Sequence, residues 1–175
     1  MTVSADITME GLLKEFPGAQ RALFRRYHIG GCASCGFRPD ETLAEVCVRN
    51  DNLNPEEVLE TVREAHEQDE AMQIAAVDLQ AALPDIDILD IRTKEEFDAV
   101  HIPHSRHFDQ VLMQEIMGTW AKDRHLVIVD HSGSRCLDAA AYFAGHGFTN
   151  IKCLKGGIDA YSQQADPSLP RYTLE

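Results

Sequence analysis

The stretch Leu126–Arg135 constrains this chain more than any other. Leu126-Val127-Ile128-Val129 is a short apolar run that reads as a buried strand. The polar loop Asp130-His131-Ser132-Gly133-Ser134-Arg135 follows, and then a helix with Leu137, Ala140, Ala141 and Ala144 on one face. A strand that passes through a tight loop into a helix N-terminus aims backbone N–H groups at one point, where an anion is favoured. Apolar runs at Ile86–Ile91 and Ile151–Leu154, with helical segments between them, predict an α/β fold with a parallel sheet. Such sheets carry their sites beyond the carboxyl ends of the strands, where this loop falls.

The chain ahead of this pattern reads as a small all-α domain. Thr8 caps a helix bearing Leu12, Leu13 and Phe16. Pro17 suits the first turn of a second, which buries Leu23, Phe24 and Tyr27 and turns Arg21, Arg25 and Arg26 to water. Gly30-Gly31 stops it. A third helix runs from about Asp40 with Leu43, Val46 and Cys47 on one face, and Asn54-Pro55-Glu56-Glu57 starts a fourth carrying Val58, Leu59 and Val62. The polar residues 63–72 read as a frayed helix end that becomes a linker. The expected layout is a helical domain at 1–66, a linker at 67–72 and an α/β domain at 73–175. Within the latter, Ala76-Val77-Asp78 leads into a short helix, Thr93 and Glu96 form a capping box, a helix spans Val111–Trp120, and the last helix begins at Gly156-Gly157 and ends near Gln164. The tail 166–175, with Pro167 and Pro170, is expected to pack loosely.

A net charge of −13 argues against nucleic acid and anionic membrane as partners, since both are polyanions. No apolar run is long enough to span a bilayer, and the N-terminal residues lack the features of a signal peptide, so a cytoplasmic protein is expected. Five cysteines, an odd number, make reduced thiols the default.

Cys32 and Cys35, flanked by glycines, are the sharpest chemical feature outside the loop. Two thiolates at this spacing can bind a metal, close a disulfide or pass a sulfur atom. Zinc wants four ligands. His28 and Cys47 could complete the set, yet Cys47 falls on an apolar helix face; a pair from each of two chains could instead hold zinc or an iron–sulfur cluster across a homodimer. Cys136, in the first helical turn beside Arg135, has two neighbours that favour thiolate, but a small residue packed at the helix start is the preferred reading. Cys153 lies near a strand end on the site side of the sheet and could resolve it. His101, His104 and His107 have ligand-like spacing, but Pro103 breaks a continuous helix. Asp130, His131, Ser132 and Ser134 invite a hydrolase reading, though adjacent residues rarely form a triad. Asp130 is better suited to fill the anion cradle itself, neutralised by Arg135.

Residues 73–165 resemble the rhodanese domain, the sulfurtransferase fold. The carriers are Asp90-Ile91-Arg92 with Glu95-Glu96-Phe97, His101-Ile102-Pro103, the loop above, Gly145-His146-Gly147-Phe148 and Leu154-Lys155-Gly156-Gly157-Ile158. Rhodaneses place a cysteine that becomes a persulfide at the first loop position. Here that position is Asp130, and a carboxylate cannot be persulfidated. Residues 5–65 resemble the disulfide reductase domain associated with hybrid-cluster proteins and the N-terminal domain of iron–sulfur repair proteins, through Ile7-Thr8-Met9, Phe16-Pro17, Leu23, His28-Ile29-Gly30, the Cys32/Cys35 pair and Glu41-Thr42-Leu43. That likeness implies redox or iron–sulfur association. Together the two resemblances imply a sulfur- or redox-trafficking accessory protein that acts on a sulfur carrier or redox protein. Standard thiosulfate sulfurtransferase activity is not expected; the alternative is an active sulfurtransferase using Cys136 as a displaced persulfide acceptor, with Arg135 beside it.

Overall fold

Hydroxyl side chains start several of the helices, as their spacing predicts. In the computed structural model, which describes residues 3–30 and 36–172, the chain divides into two units, 1–71 and 72–175.

The first unit holds α1 (Met9–Glu15), α2 (Ala19–Tyr27), α3 (Leu43–Arg49) and α4 (Pro55–Ala71). Thr8 caps α1 by accepting from the Gly11 N–H at 3.2 Å. The third helix begins at Thr42, not Asp40, because Thr42 and Glu45 close a reciprocal capping box. Gly18, not Pro17, caps α2, so the proline precedes the first turn. His28 ends α2 in the left-handed conformation (φ 59°) ahead of Gly30. Leu12, Leu23, Leu43, Val46, Cys47 and Leu59 form the core, while Phe24 is exposed, against expectation.

The expected linker at 67–72 is instead helical to Ala71. Contacts within the unit explain this: His66 meets the Phe16 ring edge-on at 5.3 Å, and Asp69 pairs with Arg21. Arg21 therefore does not simply face water.

The second unit runs β1 (Gln73–Ile74), α5 (Ala76–Ala82), β2 (Asp87–Asp90), α6 (Lys94–Ala99), β3 (Ser105–His107), α7 (Gln110–Thr119), β4 (Leu126–Val129), α8 (Cys136–Gly145), β5 (Ile151–Leu154) and α9 (Gly157–Gln164). The sheet order is β1-β5-β4-β2-β3, all parallel. Along β4, Leu126 and Ile128 point to one core with α7 and α8, and Val127 and Val129 to the other with α5 and α9. Helices on both faces explain why this strand is apolar throughout. The face that α8 buries is Cys136, Ala140 and Phe143; Ala141 and Ala144 are exposed, a correction to the predicted stripe.

At the carboxyl end of β2, Asp90 is fully buried and Arg92 is 4% exposed. Arg92 Nε donates to Asp90 Oδ1 at 2.9 Å and Nη2 to Oδ2 at 2.6 Å. Nη2 also reaches the Val100 carbonyl at 2.7 Å, and Nη1 the Tyr172 hydroxyl at 2.8 Å. Burial opposes the guanidinium charge, yet Asp90 and Tyr172 more than offset it and hold the pKa above its ordinary value. Removing one partner of such a pair strands the other charge. Arg92→Met is expected to destabilise the second unit by about 3–5 kcal/mol. Trp120, the single tryptophan, reports that unit's unfolding, so the loss should appear in its fluorescence against urea; an unchanged midpoint would contradict the assignment.

Candidate functional site

The loop after β4 is built around one carboxylate. Asp130 is 2% exposed, and its two oxygens accept from the Gly133 N–H and the Arg135 N–H, each at 2.6 Å. Two charge-assisted bonds from converging amides are what an external anion would otherwise receive at this place. The expectation that Asp130 fills its own cradle therefore agrees with the geometry. The expectation that Arg135 neutralises it does not: the Arg135 backbone N–H donates to the carboxylate, while its side chain is exposed, and among the described residues no ion pair joins the two.

The start of α9 seats the loop from beneath. The Asp130 carbonyl accepts from the Ile158 N–H at 2.9 Å, and the His131 carbonyl from the Asp159 N–H at 3.1 Å. Gly157 sits at φ +63°, where a Cβ would lie 2.4 Å from the His131 carbonyl, so only glycine permits this approach. The Gly156-Gly157 pair thus serves the loop as well as the helix start.

Cys136 lies under the loop, 1% exposed, with its Sγ 3.5 Å from the Gly133 carbonyl. The neighbouring Cys153 thiol, burial and the Asp130 charge push its pKa far above the ordinary thiol value. Burial agrees with the packing reading of Cys136, and the local argument for a thiolate is corrected. The exposed Arg135 side chain and the helix N-terminus do not outweigh a buried thiol neighbour and a nearby carboxylate. Cys153 is itself fully buried in the same core. The two lie in one core away from solvent, which agrees with an ordinary strand position for Cys153.

The Ser132 and Ser134 hydroxyls are exposed and lie 3.2 Å apart. The His131 ring packs on Tyr172 at 4.6 Å, so no Ser–His–Asp relay forms. His101 Nδ1 contacts the Phe97 carbonyl and His107 Nε2 the Arg92 carbonyl, both within the scaffold. Among the described residues no three His, Cys, Asp or Glu side chains converge to hold a metal. In the first unit, Cys47 is fully buried, and burial raises its thiol pKa. His28 is exposed at the end of α2. Cys32 and Cys35 lie outside the described residues.

Sequence reasoning missed the tail. Arg171 pairs with Asp159 through two bonds of 2.7 and 3.0 Å, and the Tyr172 hydroxyl donates to Glu96 at 2.8 Å while accepting from Arg92. Leu169 and Tyr172 pack on the core, so residues 166–172 are fastened and not loose. The one available signal was an aromatic and a basic residue in an otherwise turn-rich segment.

Residues 64–164 match the family of rhodanese-like domains, and the chain belongs to that family. A thiosulfate sulfurtransferase GlpE of Pseudomonas savastanoi pv. phaseolicola is 31% identical over 74 residues, 42% of this chain and 70% of that protein. A tRNA uridine(34) hydroxylase of Pectobacterium carotovorum is 33% identical over 95 residues, which are 51% of this chain but only 27% of the hydroxylase. The solved structure of a rhodanese-like domain protein from Staphylococcus aureus is 22% identical, covering 58% of this chain and 98% of that one, with a TM-score of 0.46. No helix among the described residues is long and apolar enough to cross a membrane.

The raised Cys136 pKa gives a direct expectation. At about pH 8 an ordinary thiol is partly ionised and alkylates readily. Cys136 and Cys153 should resist iodoacetamide in the native protein and label fully after unfolding in guanidinium chloride, as read by peptide mass spectrometry. Rapid labelling of Cys136 in native protein would contradict the buried, protonated thiol.

Proposed function

We propose that this protein is an accessory factor in sulfur or redox trafficking, whose rhodanese-like unit docks a sulfur carrier or redox protein and does not itself transfer sulfur from thiosulfate. The family membership and the named sulfurtransferase relatives support the sulfur-related part of this reading. The observation that carries the rest is Asp130. It stands where the family resemblance puts the persulfide cysteine, and both its oxygens are taken up by loop N–H groups. The loop then has neither a nucleophile nor an open anion cradle.

On this reading the thiol chemistry belongs to Cys32 and Cys35, as a dithiol or a sulfur-relaying pair. A closed zinc site on one chain fits poorly. Two thiolates are half of the usual ligand set, and Cys47, one of the two residues that could complete it beside His28, is committed to the helical core. A metal or iron–sulfur cluster shared between two copies would need both pairs. The alternative, Cys136 as a displaced acceptor, is opposed by its burial and raised pKa.

The test is sulfur mapping. In persulfidation by thiosulfate, a thiolate takes the outer sulfur and sulfite leaves. Reduced protein treated anaerobically with thiosulfate or polysulfide should carry added sulfur on Cys32 or Cys35 and none on Cys136, by mass spectrometry of trapped thiols. Sulfur on Cys136 would replace this reading with the active sulfurtransferase. No sulfur on either Cys32 or Cys35 would remove the sulfur relay from this reading.

A further inference from the structure

The segment that follows α9 is tied across the loop by contacts of two different strengths. Asp166 turns the chain by accepting from the Ser168 N–H at 3.1 Å. Arg171 then pairs with Asp159 on the surface, and Asp159 donates its own N–H to the His131 carbonyl. Arg171 beside it holds the Asp159 carboxyl below the usual carboxylate range. Tyr172 lays its ring on His131 at 4.6 Å and bridges Arg92 and Glu96 with its hydroxyl. The His131 Nδ1 atom is buried here and has no hydrogen-bond partner.

The polar ties of the segment lie outside the buried Asp90–Arg92 pair. Arg92 gives Tyr172 only Nη1, and keeps Asp90 and the Val100 carbonyl through Nε and Nη2. The Arg171–Asp159 pair is solvent-exposed on the arginine side, where such pairs contribute little. Glu96 keeps its capping bond to the Thr93 N–H at 2.9 Å.

We propose that residues 166–172 form a strap that gates the loop. Docked, it covers His131 with Tyr172 and holds the loop in its Asp130-filled form. Undocked, it uncovers the His131 ring, including Nδ1, and frees the loop to rearrange. The strap goes beyond the docking reading and stands or falls separately from it, because its test reads backbone motion and not sulfur.

The experiment is amide hydrogen exchange on the full chain, comparing wild type with Tyr172→Ala and Arg171→Ala. The Gly133 and Arg135 amides report the loop; the Ile128 and Val129 amides, in the central strand, report the core. The strap predicts that the loop amides exchange about tenfold faster or more in Tyr172→Ala, the effect expected for losing a hydrogen bond to a charged group. Core amides should keep their rates. Arg171→Ala, a surface change that leaves the core untouched, should move the same amides in the same direction by less. Loop amides that keep wild-type rates in Tyr172→Ala overturn the proposal, as does acceleration that loop and core share equally in both variants.

Discussion

The carboxyl edge of the sheet depends on the buried pair Asp90–Arg92. A carboxylate at the end of β2 with no solvent must find donors, and the chain supplies a guanidinium two residues later. The same guanidinium reaches the Val100 carbonyl beyond α6 and the Tyr172 hydroxyl beyond α9. One ion pair therefore fixes the turn after β2, the end of α6 and the tail. Asp90 pairs in register with Val129, so this anchor lies beside the strand that delivers Asp130.

Two buried acids at neighbouring strand ends are thus satisfied by different means. Asp90 takes a side-chain cation and the Arg92 N–H; Asp130 takes backbone amides alone. Amides that converge on a point favour any anion there, and a tethered carboxylate wins against a free one because its ordering is already supplied by the chain. In this chain the acid takes up both the Gly133 and the Arg135 N–H within its own loop. The Cys136 thiol is hidden in the core that α7 and α8 form on one face of the sheet, while Gly157 seats the loop from the start of α9.

Much of this was legible in the residues. The apolar run Leu126–Val129, the loop and the Gly156-Gly157 start each had a pattern long enough to read, and the capping box Thr93–Glu96 was a spacing rule that the structure obeys. The strands β1 and β3 were missed because two and three residues show no alternation. The polar half of α4 was misread because composition alone does not reveal that His66 and Asp69 find Phe16 and Arg21 across the unit. The local argument for a Cys136 thiolate failed for a related reason. A local rule about helix starts does not register a buried Cys153 arriving from β5. The tail failed similarly: prolines suggested looseness, and the partners of Tyr172 lie far back in the chain at Arg92 and Glu96.

The central claim is that Asp130 occupies the cradle that would bind a substrate anion. The most direct measurement follows the Gly133 and Arg135 amide resonances while thiosulfate is added to wild-type protein and to Asp130→Ala. The account predicts no saturable shift in wild type and a saturable shift of both amides once the carboxylate is gone. A saturable shift of those amides in wild-type protein would contradict it.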